Sequence, residues 1–173
     1  YKNIEVIIVN DGSTDCSAEL VKKYIQDNKL NKWQLYTISN GGVAKARNFG
    51  ITMATGEYLC FVDADDYVEI GYVEKMLSAI QNSQSDFCIS GYKRVSYRNG
   101  KEEGKQDCMI SDCVYSLESS EKIDETLFIN GFMHPCWGKL YKTRLIKDNQ
   151  ITFPDQSLSE DTVFNLKYLQ FVH

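Results

Sequence analysis

Short apolar runs alternate with amphipathic segments through the first hundred residues of the chain. The run IEVIIV at 4–9 is continuous and rich in β-branched residues, which is typical of a strand buried on both faces of a parallel sheet. The polar turn NDGSTD follows it. The next segment, SAELVKKYIQ, has apolar residues near helical spacing, with Ser and Asp available to cap its start. The pattern predicts a strand, a loop and a helix, in that order.

The same alternation continues to residue 97. The later segments predict a strand, a helix, a strand, a helix and a strand in turn: WQLYTIS, VAKARNFGITMA, EYLCFVD, EIGYVEKMLSAIQ and DFCISGYKRVSY. Repeated βα units fold into a layered α/β sheet. The predicted fold class is therefore α/β.

The pattern is less regular beyond residue 97. RNGKEEGKQD is polar and contains glycines, so it predicts a turn or loop. SSEKIDETLFI and SEDTVFNLKYLQF have the pattern of helices, and WGKLYK has the pattern of a strand. Since no repeat, low-complexity tract or linker divides the chain, we expect a single domain over residues 1–173.

Composition and charge exclude several classes of protein. The 19 Lys and Arg against 24 Asp and Glu give a formal charge of −5, which argues against binding to nucleic acid or to an anionic membrane surface. No apolar run approaches the ~20 residues that span a bilayer, so we expect no transmembrane segment. The six cysteines include no C-x-x-C pair, and a reduced, cytoplasmic compartment fits them best.

Three carboxylates follow an apolar run in LCFVDADDY, namely Asp63, Asp65 and Asp66. Carboxylates this close raise one another's pKa unless something positive lies among them, and a divalent cation is the obvious candidate. Asp11 follows the first predicted strand in the same way. Ligands of open α/β sheets bind outside the carboxyl ends of the strands, so these acids are candidates for one nucleotide-binding crevice.

Three stretches, taken in order, resemble a known family. VIIVNDGSTD, GGVAKARNFGITMATGEYLCFVDADD and SEDTVF are similar to family 2 of inverting glycosyltransferases, with nearly continuous similarity over residues 4–66. The resemblance implies the GT-A fold, a Rossmann-like α/β/α arrangement with a mostly parallel central sheet. It also implies transfer of a sugar from a nucleotide-sugar donor to a saccharide or lipid-linked acceptor. The expected location is the cytoplasm, at the cytoplasmic face of the membrane for the full-length protein.

The resemblance assigns donor-binding roles to Asp11, Arg47, Asn48 and Asp63. Asp11 matches the residue that receives the donor base, and a carboxylate accepts the N3–H of uracil, which favours a UDP-sugar. The alternative for Asp11 is a simple Asp-Gly turn. Arg47 is expected to clamp a diphosphate or sugar hydroxyl, or to pair with Asp63, while Lys45 fits a solvated helix face better than a contact with the donor.

Asp63 and Asp65 match the D-x-D motif of the family. This implies a bound Mn²⁺ or Mg²⁺, held mainly by Asp65, which neutralises charge on the departing nucleoside diphosphate. Asp66 has an alternative structural role, because its spacing to Glu69 suits a capping box at the start of the next helix.

Asp161 matches the base that removes the acceptor proton, with Glu160 beside it as support. The alternative is structural, because Ser159 suits an N-cap and acids are favoured in a first helical turn. His134 and Trp137 are expected on the acceptor side. A zinc site of His134, Cys136, Cys108 and Cys113 is an alternative, but its spacings match no familiar motif.

Two departures from the family pattern give further expectations. The family's first strand and helix do not precede Tyr1, and relatives continue beyond His173, so we expect a catalytic domain shortened at its N-terminus and also at its C-terminus. Two other functions stay open: a sugar nucleotidyltransferase, and a non-catalytic nucleotide- or sugar-binding module. A dehydrogenase is disfavoured, since NDGSTD lacks the G-x-G-x-x-G turn.

Overall fold

A computed structural model of the chain describes residues 1–110, 114, 125–156 and 158–172. Strands and helices alternate through most of it. The strands are β1 (Val6–Asp11), β2 (Trp33–Ile38), β3 (Tyr58–Leu59), β4 (Phe87–Ile89), β5 (Tyr92–Arg98), β6 (Lys101–Cys108) and β7 (Lys139–Lys142). The helices are α1 (Ser17–Asp27), α2 (Val43–Met53), α3 (Tyr72–Ser83), α4 (Glu125–Ile129), α5 (Thr143–Asp148) and α6 (Glu160–Leu169). The predicted α/β class is confirmed.

The strand pairings are mixed rather than mostly parallel. β1 pairs with β2 in parallel, from Val6 opposite Trp33 to Asp11 opposite Ile38. β7 lies between β3 and β4 and is antiparallel to both. β3 and β4 therefore run parallel to each other, as the βα repeat predicts. The pairing is mixed because β7, from the irregular later part of the chain, is inserted between β3 and β4.

The polar segment predicted as a turn or loop is instead the second strand of a hairpin. β5 and β6 pair antiparallel, with Val95 opposite Lys105, and the turn between them contains Asn99 and Gly100. Both turn residues have positive φ, 50° and 74°, which is the backbone conformation that Asn-Gly favours in a two-residue hairpin turn. The loop prediction was wrong because β6 has almost no apolar residues, so its alternation gave no signal.

Three of the helices, as the structure describes them, differ in extent or existence from what the sequence pattern shows. The helix predicted over 119–129 is described from Glu125, and residues 119–124 lie outside the described part of the chain. The helix predicted from Glu69 begins at Tyr72, with Gly71 at the capping position. The short helix α5 was not predicted.

An aromatic core surrounds β7 and α6. Tyr141, Phe164 and Tyr168 are fully buried there, and the ring of Phe61 lies edge-on to those of Tyr141 and Phe164. Phe61 is two residues before Asp63, so this packing fixes the start of the acidic segment. Within the described residues, the helices are all too short or too polar to cross a membrane.

Candidate active site

Arg47 on α2 lies at the centre of an acidic cluster. Its Nη2 is 2.9 Å from Oδ1 of Asp63, and its Nη1 is 3.4 Å from Oε1 of Glu160 and also contacts Oδ1 of Asp161. The side chains of Arg47, Glu160 and Asp161 are only 13%, 17% and 18% exposed. These ion pairs join the D-A-D-D segment to the start of α6, and they bring together the predicted donor, metal and catalytic positions.

Asp161 is held on both of its carboxylate oxygens. Oδ1 contacts Arg47, and Oδ2 accepts the backbone N–H of Cys136 at 2.9 Å. Ser159 occupies the position before α6, but in the part of the chain that the structure describes its hydroxyl forms no capping hydrogen bond. The carboxylates of Glu160 and Asp161 lie in the first turn, where the helix dipole stabilises negative charge.

Asp11 connects the end of β1 to the start of α2. Its Oδ1 accepts the N–H of Gly41 at 2.9 Å and its Oδ2 accepts that of Gly42 at 2.7 Å. Its carbonyl accepts the side-chain amide of Asn40 at 3.1 Å. The carboxylate is thereby fixed just before the helix that carries Arg47.

Asn48, which is predicted to bind the donor, lies with its side-chain amide against the backbone of Phe153. Its Nδ2 donates to the carbonyl of Phe153 at 2.9 Å, and its Oδ1 accepts the N–H of the same residue at 2.8 Å. Because both ends of the amide are used by one backbone residue, Asn48 holds the segment before α6 against α2. The sequence could not show this, since the two residues are far apart in the chain.

The remaining acids of the D-A-D-D segment face solvent. Asp65 and Asp66 are exposed, and partial burial together with the nearby Asp63 and Asp65 raises the pKa of Asp66. Asp66 does not cap α3, because that helix begins six residues later; its N–H donates to the carbonyl of Asp63 at 3.1 Å. This uncompensated negative charge suits a divalent cation.

The described residues contain no ready-made group of three or more His, Cys, Asp or Glu side chains that would enclose a metal ion. Mn²⁺ and Mg²⁺ do not require one, since they commonly use one or two protein carboxylates and take their other ligands from phosphate and water. Asp65, with Asp63 beside it, fits that mode of binding.

The acceptor-side candidates lie on the segment that contacts Asp161. The ring nitrogens of His134 are 3.3 Å from Oγ1 of Thr162 and 3.1 Å from the carbonyl of Phe128, and the ring of Trp137 is edge-on to Tyr92. Cys136 between them is fully buried, and burial raises the pKa of its thiol. As to the zinc alternative, Cys113 lies outside the described residues.

Sequence reasoning missed two buried polar residues beside this segment, Lys139 and Asn165. Burial lowers the pKa of Lys139 to about 8, although Cys136 and Asp161 act in the opposite direction. One signal was available in the sequence, because a lysine in the middle of the predicted strand WGKLYK is unusual in a buried position.

Comparison with known proteins gives a consistent result. The family model described as glycosyl transferase family 2 matches residues 1–149. Over 172 residues the chain is 42% identical to an uncharacterized glycosyltransferase of Haemophilus influenzae, covering 99% of this chain and 62% of that protein. It is 36% identical to glycosyltransferase GlyA of Streptococcus pneumoniae, covering 96% of this chain and 24% of GlyA. The chain thus spans only part of the length of these curated relatives.

A solved structure shows the same fold. The crystal structure of Staphylococcus aureus TarS 1–349 in complex with UDP-GlcNAc matches with a TM-score of 0.71 and 28% sequence identity, covering 98% of this chain and 45% of that one. TarS, described as a poly(ribitol-phosphate) beta-N-acetylglucosaminyltransferase, is 32% identical to this chain over 170 residues. The predicted GT-A fold is thereby confirmed.

Proposed function

The chain belongs to glycosyl transferase family 2, and from this premise we propose that it moves a sugar from a UDP-sugar to a hydroxyl of a saccharide or lipid-linked acceptor, with inversion at the anomeric carbon. The observation that carries the proposal is the position of Arg47. It links Asp63, which is assigned to the donor, with Asp161, which is assigned to the acceptor proton.

The donor class is supported by the relatives and by Asp11. TarS structures contain UDP-GlcNAc and UDP. Each carboxylate oxygen of Asp11 has two lone pairs, of which the glycine N–H groups occupy one each, so the side chain keeps capacity for the N3–H of uracil. Its fixed orientation lowers the entropic cost of binding a base.

Asp161 is the proposed base. In an inverting transfer the acceptor hydroxyl loses its proton as its oxygen attacks the anomeric carbon from the face opposite the diphosphate. Arg47 and the N–H of Cys136 each contact one oxygen of the Asp161 carboxylate and so fix its orientation. Glu160 shares the guanidinium and so helps to fix its orientation.

The D-A-D-D segment is the proposed site for Mn²⁺ or Mg²⁺, with Asp65 as the main ligand and Asp63 beside it. When bound, such an ion neutralises charge on the departing nucleoside diphosphate. The chain itself supplies an exposed carboxylate at Asp65 and keeps Asp63 oriented through Arg47.

Calorimetric titration tests the donor assignment. UDP, GDP and CDP are titrated into the protein with and without Mn²⁺, and the titrations are repeated on Asp65→Ala and on Asp27→Ala, which changes an exposed carboxylate at the end of α1. In the wild type and in Asp27→Ala we expect UDP to bind more tightly than GDP or CDP, and only when Mn²⁺ is present. In Asp65→Ala this metal-dependent binding of UDP should be lost. The assignment is contradicted if the three nucleotides bind equally, or if Mn²⁺ strengthens UDP binding as much in Asp65→Ala as in the wild type.

Asp161→Asn separates an enzyme from a binding module. An enzyme that uses Asp161 as its base binds UDP normally in this variant but loses about 10² to 10⁴ in transfer rate. Proton NMR of the first product formed by the wild type shows whether the anomeric configuration inverts. Formation of pyrophosphate from UTP and a sugar phosphate points instead to a nucleotidyltransferase.

A further inference from the structure

The backbone carbonyls of residues 132–136 all turn toward buried polar side chains. Nζ of Lys139 is 2.6 Å from the carbonyl of Phe132, and it also donates to that of Pro135. Nδ2 of Asn165 is 2.8 Å from the carbonyl of Met133 and 2.9 Å from that of Pro135. Successive carbonyls rarely point the same way in an irregular segment, so these donors define its conformation.

Lys139 and Asn165 are fully buried, and among the described residues no carboxylate forms an ion pair with Lys139. Burying a charge without such a partner is costly. Two carbonyl acceptors compensate only part of that cost, which agrees with the lowering of the pKa of Lys139 to about 8 by burial. A core that served stability alone would be better filled by an apolar side chain.

Tyr141 fixes the orientation of the Asn165 amide. Its hydroxyl lies 2.6 Å from Oδ1 of Asn165 and 3.1 Å from the carbonyl of Cys136. Since the hydroxyl proton is directed at Oδ1, the amide cannot flip without losing this bond, and Nδ2 stays aimed at the carbonyls of residues 133–135.

The opposite side of the same backbone faces the proposed base. The peptide group between Pro135 and Cys136 is planar, so the Pro135 carbonyl that accepts from Lys139 and Asn165 leaves the N–H of Cys136 pointing the other way, at Oδ2 of Asp161, 2.9 Å away. The orientation of the Asp161 carboxylate therefore depends on the conformation of residues 132–136.

We propose that Lys139, Asn165 and Tyr141 are positioning residues that set the angle of the Asp161 carboxylate through the backbone of residues 132–136. The role in transfer rests on the proposed function, because it presumes that Asp161 is the base. The structural coupling of Tyr141 to the N–H of Cys136, through the hydrogen bonds described above, does not depend on that function.

The test compares two tyrosine hydroxyls. Tyr141 and Tyr168 are both fully buried, and Tyr168 instead accepts the N–H of Lys142 and donates to the carbonyl of Asp86, both at 2.7 Å. Tyr141→Phe and Tyr168→Phe each remove one buried hydroxyl, so similar losses of stability are expected. Each variant is compared with the wild type for UDP affinity, for kcat and KM, and for hydrogen exchange at the amide of Cys136.

We expect kcat to fall about tenfold in Tyr141→Phe, because small misplacements of a catalytic group are costly, and to change less than about twofold in Tyr168→Phe. UDP affinity should be unchanged in both variants. The amide of Cys136 should exchange about tenfold faster in Tyr141→Phe alone.

Two results overturn the proposal: equal effects of the two substitutions on kcat, or unchanged exchange at Cys136 in Tyr141→Phe. A further outcome is that the wild type transfers no sugar while the amide of Cys136 still exchanges faster in Tyr141→Phe alone. In that case the proposed function fails, and the structural coupling of Tyr141 to the N–H of Cys136 is upheld. The two failures are therefore distinguishable.

Discussion

Arg47 sets the charge balance of the site. One guanidinium faces three carboxylates, Asp63, Glu160 and Asp161, and the exposed Asp65 and Asp66 lie close by in the chain. Arginine suits this place because its planar fork donates several hydrogen bonds and stays charged at any physiological pH. This excess of negative charge is the electrostatic basis of the cation site proposed at the exposed end of the cluster, where Asp65 lies.

Replacing Arg47 should destabilise the protein in a salt-dependent way. In Arg47→Met three partly buried carboxylates lose their shared cation, so we expect the free energy of unfolding to fall by about 2 kcal/mol at low salt. The difference from the wild type should shrink at high salt, because dissolved ions screen the repulsion between the carboxylates. Urea titrations at low and high salt measure it.

Arg144→Met is the matched control for that substitution, since Arg144 is an exposed arginine on α5. Its effect should be within about 0.5 kcal/mol at either salt concentration. A loss in Arg47→Met that is the same at low and at high salt would show that packing of the side chain, rather than its charge, stabilises the cluster.

Lys139 should give stability a distinct dependence on pH. Burial lowers the pKa of Lys139 to about 8 in the folded protein, against an ordinary value of about 10.4 in the unfolded chain. Between these pH values the unfolded chain binds the additional proton, so this residue makes the folded protein more stable as pH rises through the interval. The expected gain is about 3 kcal/mol.

Lys139→Met isolates this contribution from the tyrosines and cysteines that titrate in the same range. The free energy of unfolding of the wild type, minus that of the variant, should rise by about 3 kcal/mol between pH 8 and pH 10.4. A difference that stays flat over this interval would mean that the amine titrates normally in the folded state.

At the scale of elements, the connection from β1 to α2 depends on a glycine. Gly12 has a φ of +67°, and a Cβ at this position would lie 2.7 Å from the backbone nitrogen of Asn40. The close approach brings the end of β1 against residues 40–42, where Asp11 accepts the N–H groups of Gly41 and Gly42.

Gly12→Ala should therefore lower the free energy of unfolding by more than backbone strain alone would. Gly100 has a similar φ of +74° but open space around its Cα among the described residues, so Gly100→Ala serves as the control and should cost about 1 kcal/mol. Gly12→Ala should cost at least about 2 kcal/mol more and weaken UDP binding, because Asp11 moves with the loop. Equal losses of stability in the two variants would refute the role of the close approach.

The sequence predicted elements well where one periodicity dominated. β1, α1, β2 and α2 follow from local apolar patterns. The motifs also contain Asp63, Glu160 and Asp161, which the structure brings together around Arg47. Three other features depend on contacts between distant residues, which no local pattern contains: the insertion of β7, the use of Asn48 by Phe153 and the burial of Lys139. β6 is a different case, because its Asn-Gly turn was visible but its polar side chains concealed the strand.

At the scale of the whole molecule, stability is distributed unevenly. β7 pairs with strands on both sides and its first three residues are buried, from Lys139 to Tyr141. Among the residues that the structure describes, β6 pairs with β5 alone, and Lys101 to Asp107 are all exposed. The aromatic core and the site are thus attached to the doubly paired β7, whereas the hairpin contacts this part of the protein mainly through Tyr92, whose ring packs against Phe132 and Trp137.

Hydrogen exchange should separate these two parts. The slowest amides of β6 should exchange at least about 100-fold faster than those of β7, because the hairpin opens locally while β7 opens only when the protein unfolds. Exchange in β7 should also accelerate steeply with added urea, since global unfolding exposes much surface, whereas exchange in β6 should hardly change. If β6 instead shares both the protection and the urea dependence of β7, the hairpin belongs to the same cooperative unit. The conformation of residues 132–136 would then be stabilised by the hairpin as well, through the contact of Tyr92 on β5 with the ring of Trp137.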